Sequence, residues 1–154
     1  MVDQTYRNNI IELAFNWIKY KNNWFKQSNE FDNYIKLQYG KLLIKENIEK
    51  IFESIDVIDD SKYEDYLFLG CILLCDQIPR HIYRNPTLNE KKIIEDYTLL
   101  ACKFSKRIMY YPIFIEFTRF FQCFILLPFR HANNFEKMEE SLEIIFKENF
   151  YSTS

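Results

Sequence analysis

The residues of this chain best suited to chemistry fall in two stretches, Cys71–Arg84 (CILLCDQIPRHIYR) and Cys123–Asn134 (CFILLPFRHANN). Each ends an apolar run with a proline, an arginine and a histidine, and together they hold both histidines of the chain. Pro79 has no backbone amide to donate and disfavours helical geometry at Ile78. The spacing therefore predicts a helix end here, with Asp76 in or near its last turn. A carboxylate in that place meets the negative end of the helix dipole, and burial raises the cost of leaving it unpaired. Some cation must approach Asp76. Arg80 and Arg84 are nearest in sequence, Arg130 is the candidate from the second stretch, and Gln77 carries an amide able to bond either a partner or a ligand.

His131 lies in a polar loop ahead of a helix start, between Arg130 and Asn133, where an imidazole can exchange protons near neutral pH. His81 directly follows Arg80 and reads as a surface residue. Two arrangements of these residues compete. In one, Asp76, Gln77, Arg80 and Arg130 form a buried lock that ties down the loop after each apolar helix. In the other, the arginines outnumber the carboxylate, and Arg80, Arg84 and Arg130, with His131 or His81, face a cleft. That set suits a carboxylate or phosphate ligand, whose oxygens match the planar fork of arginine. Catalytic signatures are few. No serine or cysteine sits in the context of an activated nucleophile, and there is neither a glycine-rich phosphate loop nor an HExxH motif. Cys71 and Cys75 share a helix face but lack further soft ligands, so neither a metal nor another cofactor is expected.

The stretch Trp17–Asp32 (WIKYKNNWFKQSNEFD) interleaves aromatics with Lys19, Lys21 and Lys26, a pattern that can stack on bases. The net charge is −2 and no long basic block occurs. Trp17, Trp24 and Phe25 are therefore read as core anchors with lysines extending beside them, and no nucleic-acid partner is expected.

Helical periodicity positions these residues. Ile10, Ile11, Ala14, Phe15, Trp17 and Ile18 form one stripe. Ser28 or Asn29 caps the next helix, whose stripe is Phe31, Tyr34, Ile35, Gln38, Tyr39 and Leu42, with a bend near Gly40 before Ile44, Ile48, Ile51, Phe52 and Ile55. Asp56–Asp60 reads as a loop. Ser61–Glu64 and Thr87–Glu90 have the form of capping boxes. The first opens a helix that is apolar on nearly all sides from Tyr66 to Cys75, hence central. The second opens a helix carrying Ile93, Ile94, Tyr97, Leu100, Ala101, Phe104 and Ile108. Pro112 suits a first helical turn, Ile113–Leu127 reads as a second central helix, and the last helix runs from about Asn133 to Asn149 with Phe135, Met138, Leu142, Ile145 and Phe146 inward. The Ile113–Leu127 run is short for a bilayer span and is interrupted by Glu116, Arg119 and Gln122, so no membrane partner is expected.

Composition agrees with an all-α class. Residues 1–154 fit one domain, the chain is 48% hydrophobic, and it has only two glycines and four prolines, too few for the turns of a multi-stranded sheet. Cys71, Cys75, Cys102 and Cys123 lie in apolar segments without CxxC spacing, as expected of buried free thiols in a reducing compartment. The N-terminus MVDQTYRNN lacks the charged start and apolar run of a signal peptide, which points to the cytoplasm.

Three segments in order, WFKQSNEFDNYIKLQYGKL (Trp24–Leu42), LGCILLCDQIPRHIYR (Leu69–Arg84) and LPFRHANNFEKMEESLEIIF (Leu127–Phe146), resemble the signature regions of the domain-of-unknown-function 924 family. The most specific element is the aliphatic run ending in Asp76-Gln77 and Pro79-Arg80. The resemblance implies a compact all-helical fold of the tetratricopeptide-like class and no defined activity. The family typically places an acidic residue soon after the histidine that matches His131, where this chain has Ala132, Asn133 and Asn134.

The resulting expectation is a single compact all-α domain of six or seven helices, stacked like tetratricopeptide hairpins without a regular repeat. Its expected function is that of a cytosolic, non-enzymatic binding domain for an anionic small molecule or the acidic end of a peptide. Arg80, Arg84 and Arg130 would hold the oxyanion, Asp76 and Gln77 would orient the arginines, and His131 would line the pocket. A hydrolase with His131 as base is the second expectation, and an interaction scaffold with the cluster as a lock is the third. The oligomeric state is left open.

Overall fold

The structure, a computed structural model, describes residues 2–24, 27–54 and 62–152, the last stretch with its side chains from 64 to 147. Helix α1 (Gln4–Trp17) starts where the Asp3 carboxylate accepts the Thr5 amide at 2.9 Å, and a 3-10 turn, Ile18–Asn23, follows it. Helix α2 (Asn29–Tyr39) is capped by the Ser28 hydroxyl, which accepts the Phe31 amide at 3.2 Å. The expected bend near Gly40 is a 3-10 turn, Gly40–Leu42, leading to α3 (Lys45–Ser54). Then come α4 (Lys62–Asp76), the short α5 (Ile78–Ile82), α6 (Leu88–Ile108), the single turn α7 (Ile113–Glu116), α8 (Arg119–His131) and α9 (Phe135–Ser152). The described residues contain no strand. The expected core residues Phe25 and Ile55, the expected loop Asp56–Asp60 and the capping residue Ser61 lie outside the described residues.

Helix α4 is the axis of the molecule. Every residue from Leu67 to Pro79 is buried, as its all-round apolar sequence requires. Its most extensive packing is against α1 and α6, with α8 on a further side. Gly70 sets how closely α1 approaches: a Cβ at that position would lie 2.3 Å from the Ile10 carbonyl oxygen. Large rings fill the space around α4, with Trp17, Phe68, Phe104, Phe114, Phe124 and Phe129 fully enclosed. Burying each such ring stabilises the fold by about 1.5–3 kcal/mol before chain entropy is counted. Trp17 and Trp24 belong to this core, as read from the sequence.

Five sequence expectations change. The described residues hold more helical segments than six or seven, because short α5 and α7 occupy what periodicity merges with their neighbours. Ile113–Leu127 is broken at Phe117–Thr118: the Thr118 hydroxyl caps α8 at the Phe121 amide, and the Gln122 amide donates to the carbonyls of Phe114 and Ile115 at the end of α7. Helix α4 ends at Asp76, as expected, but Pro128 does not stop its helix. Pro79 sits in the first turn of α5, where its missing amide is tolerated, and Pro128 lies inside α8, which continues to His131. On α9, Ile145 is buried and Met138 and Leu142 partly so, but Phe135 and Phe146 are exposed. Cys71, Cys75 and Cys102 are buried free thiols, whereas Cys123 is exposed.

The capping box at Thr87–Glu90 forms with both reciprocal bonds, 3.0 Å from the Thr87 amide to Glu90 and 3.2 Å from the Glu90 amide to the Thr87 hydroxyl. It fixes the start of α6, the helix that forms one wall of the site described next.

Candidate functional site

Asp76 is the last residue of α4 and is 1% exposed. Its carboxylate is partnered on three sides. The Nδ1 of His131 lies 2.8 Å from Oδ1 and 3.1 Å from Oδ2, the Gln77 side-chain amide donates to Oδ2 at 3.0 Å, and the Arg80 Nε stands 3.7 Å from Oδ1. A carboxylate can only accept, so Nδ1 carries the proton in this pair. The other ring nitrogen, Nε2, has no hydrogen-bond partner among the described residues. The ring is about one-quarter exposed, its side chain at 26%.

Local structure explains why His131 reaches Asp76. Helix α8 runs through Pro128 and ends in a left-handed residue, Asn133, at φ 57°. The Asn134 amide returns to the Phe129 carbonyl at 2.7 Å, a closing bond typical of helix C-termini, and asparagine is among the few non-glycine residues that adopt this conformation readily. The Ala132-Asn133-Asn134 sequence thus builds the helix stop that carries His131.

Arg80 is held from one i,i+4 turn away on the chain. Its Nη2 donates to Thr98 Oγ1 of α6 at 2.8 Å, and its side chain is one-third exposed. Arg80, Thr98 and His131 line an open groove of about 500 Å³ together with Lys91, Glu95 and Asn133. Among the described residues its charged lining is Arg80 and Lys91 against Glu95, with the His131 ring beside them.

A second carboxylate–histidine–arginine set lies on the other side of the same segment. Asp32, on the inner face of α2, is 2.8 Å from His81 Nδ1, and Arg84 grips it with Nε at 3.1 Å from Oδ2 and Nη2 at 3.0 Å from Oδ1. His81 is 2% exposed and packs against the Trp17 and Phe31 rings. Burial pushes its pKa below the ordinary 6.5, assisted by Arg84 and opposed by Asp32 and the Trp24 backbone. This set is closed, and His81 is a core residue rather than the surface residue expected.

The six candidate residues therefore divide. Asp76, Gln77, Arg80 and His131 come together. Arg84 belongs to Asp32. Arg130 is exposed in a separate groove between α8 and α9, and no ion pair joins it to Asp76. Sequence reasoning did not find Asp32, Lys91 or Thr98. Asp32 did leave a signal, since it precedes Ile35 by three residues and Tyr39 by seven, and these three are the buried residues of α2. Among the described residues no group of three or more His, Cys, Asp or Glu side chains could hold a metal ion. No helix among them is long and apolar enough to cross a membrane.

These features define an all-α protein whose central helix ends in a buried carboxylate, paired to a histidine that opens onto a basic groove. The chain belongs to the DUF924 family, described as bacterial protein of unknown function, whose sequence profile matches residues 10–152. Comparison with curated proteins and with solved structures gives no match.

Proposed function

We propose that this is a cytosolic binding domain whose α4–α6–α8 groove holds an anionic small molecule or the carboxylate end of a peptide. The observation that carries the reading is the Asp76–His131 pair. A buried carboxylate fixes the imidazole by Nδ1 and leaves Nε2 without a partner among the described residues, at a groove that also holds Arg80 and Lys91. Beside the His131 ring, the Arg80 guanidinium and the Lys91 ammonium supply charge-assisted donors for an oxyanion. The ligand set differs from the sequence expectation: Arg80 and His131 stay, Lys91 and Thr98 join, and Arg84 and Arg130 leave. In the same reading the helices stack as tetratricopeptide-like hairpins without a regular repeat, and the close packing of α1 on α4 and α4 on α6 supports it.

The two histidines make the test clean. The ring resonances of His131 and His81 are followed by NMR during titration with phenyl phosphate, succinate and a short peptide ending in glutamate. The expected result is that at least one probe moves the His131 signals while those of His81 stay. The Lys91→Gln variant should weaken that response several-fold. If no probe moves His131, or Lys91→Gln responds as wild type does, the anion groove is wrong.

One observation favours a second reading. A histidine held by a carboxylate at Nδ1 with Nε2 unpartnered has the arrangement of a general base able to activate water. A hydrolase would turn over activated esters or phosphomonoesters and lose that activity in His131→Gln, with the fold retained by circular dichroism. Equal rates in wild type and His131→Gln remove this reading.

A further inference from the structure

Helices α8 and α9 enclose a second groove, of about 290 Å³, on the face where Arg130 lies. Its walls are Leu126, Leu127, Met138, Leu142 and Ile145, so its chemistry is apolar. Among the described residues, the charged side chains that line it are Arg119 and Arg130, and no carboxylate does. Neither arginine has an ion-pair or hydrogen-bond partner among the described residues. Eleven positions apart on one helix, they fall within about 20° of the same face and about 16 Å apart along the axis. The cavity is therefore apolar along its length with one cation near each end, and it lies at the small end of the volumes that take small ligands.

We propose that this groove binds a straight-chain aliphatic carboxylate, with its head at Arg119 and its tail along Leu126, Leu127, Leu142 and Ile145. Charge complementarity selects an anion, and the apolar walls select its hydrocarbon body. The two arginines are not equivalent. Arg119 is the first residue of a 13-residue helix, where the positive end of the helix dipole adds to the guanidinium. Arg130 lies in the last turn, where the dipole opposes an anion. The head therefore takes the Arg119 end, and the Arg130 methylenes cover the tail. This site is independent of the His131 groove.

Cys123 lines the same groove and is the exposed thiol among the four cysteines, so it reports on occupancy. The experiment measures the rate of Cys123 alkylation by N-ethylmaleimide with dodecanoate below its micelle concentration, with methyl dodecanoate as the uncharged control. Dodecanoate is expected to slow alkylation at least fivefold in wild type. The methyl ester should protect little, and Arg119→Gln should lose most of the protection by dodecanoate. Thermal unfolding of the variant confirms that it is folded. The proposal is overturned if dodecanoate does not protect, if the ester protects as well as the acid, or if Arg119→Gln is protected like wild type. Protection by an amphipathic acidic peptide in place of dodecanoate would mark the groove as a protein-docking site and overturn it too.

Discussion

Asp76 and His131 illustrate how a single buried charge organises its neighbours. Removing water from a carboxylate is costly unless partners replace it, and here an imidazole, an amide and a guanidinium do so. Truncating the carboxylate leaves those donors facing a void. Asp76→Ala should therefore lower stability by about 3 kcal/mol, the range for breaking a buried pair, as measured by urea unfolding. Asp76→Asn keeps the volume but presents an amide, and should cost less. A loss below 1 kcal/mol for Asp76→Ala would mean that the three partners contribute little. The need for a cation near Asp76 was legible in the sequence, because Pro79 and the apolar run place a carboxylate at a buried helix end. The choice of partner was not. Arg130 and His131 are adjacent, and a helix ending at Leu127 would have left either free to turn inward. Because α8 continues through Pro128, each successive side chain rotates by about 100°, so His131 meets Asp76 while Arg130 faces α9.

At the scale of elements, the sequence predicted the helices well and their breaks poorly, for one physical reason. Periodicity reports which face is apolar, and that face stays apolar across a change of axis. Ile113–Leu127 is apolar on both sides of Thr118, so only the hydroxyl cap and the Gln122 bonds to the carbonyls of Phe114 and Ile115 reveal the break. Gly70 was equally silent, because a glycine inside an apolar helix looks like a weak helix former and nothing more. Its role is the close approach of α1, where the Ile10 backbone occupies the place a side chain would take. Gly70→Ala would raise helix propensity by about 1 kcal/mol in isolation. In the protein the added methyl collides with backbone, which cannot rotate away as a side chain can. The net result should be destabilisation of about 2–3 kcal/mol, as overpacking in rigid surroundings produces. A thermal midpoint equal to or above that of wild type would show that α1 shifts freely on α4.

Across the whole molecule, residues 76–84 act as a joint between distant parts of the chain. Asp76 at one end reaches His131, 55 residues later, and His81 and Arg84 at the other reach Asp32, about 50 residues earlier. The two proline-arginine-histidine stretches are thus not two copies of one site. His81 completes a closed pair and His131 an open one, and a sequence that repeats residue types could not say which would be covered. The closed pair makes stability depend on pH in a defined direction. His81 is buried and its pKa is lowered from 6.5, so below pH 6.5 the unfolded chain binds a proton that the folded chain resists. That contribution to stability is complete above pH 6.5 and is lost as pH falls from there toward the lowered value. Acidification from pH 7.5 to 5.5 should therefore reduce the free energy of unfolding, with Trp17, whose ring centroid is 6.2 Å from that of His81, reporting the transition by fluorescence. His81→Gln retains a polar side chain without a titrating group. It should start less stable at pH 7.5 and show a clearly shallower decline. A slope unchanged by this substitution would place the acid sensitivity elsewhere, and a rise in wild-type stability over the same interval would contradict a depressed His81 pKa.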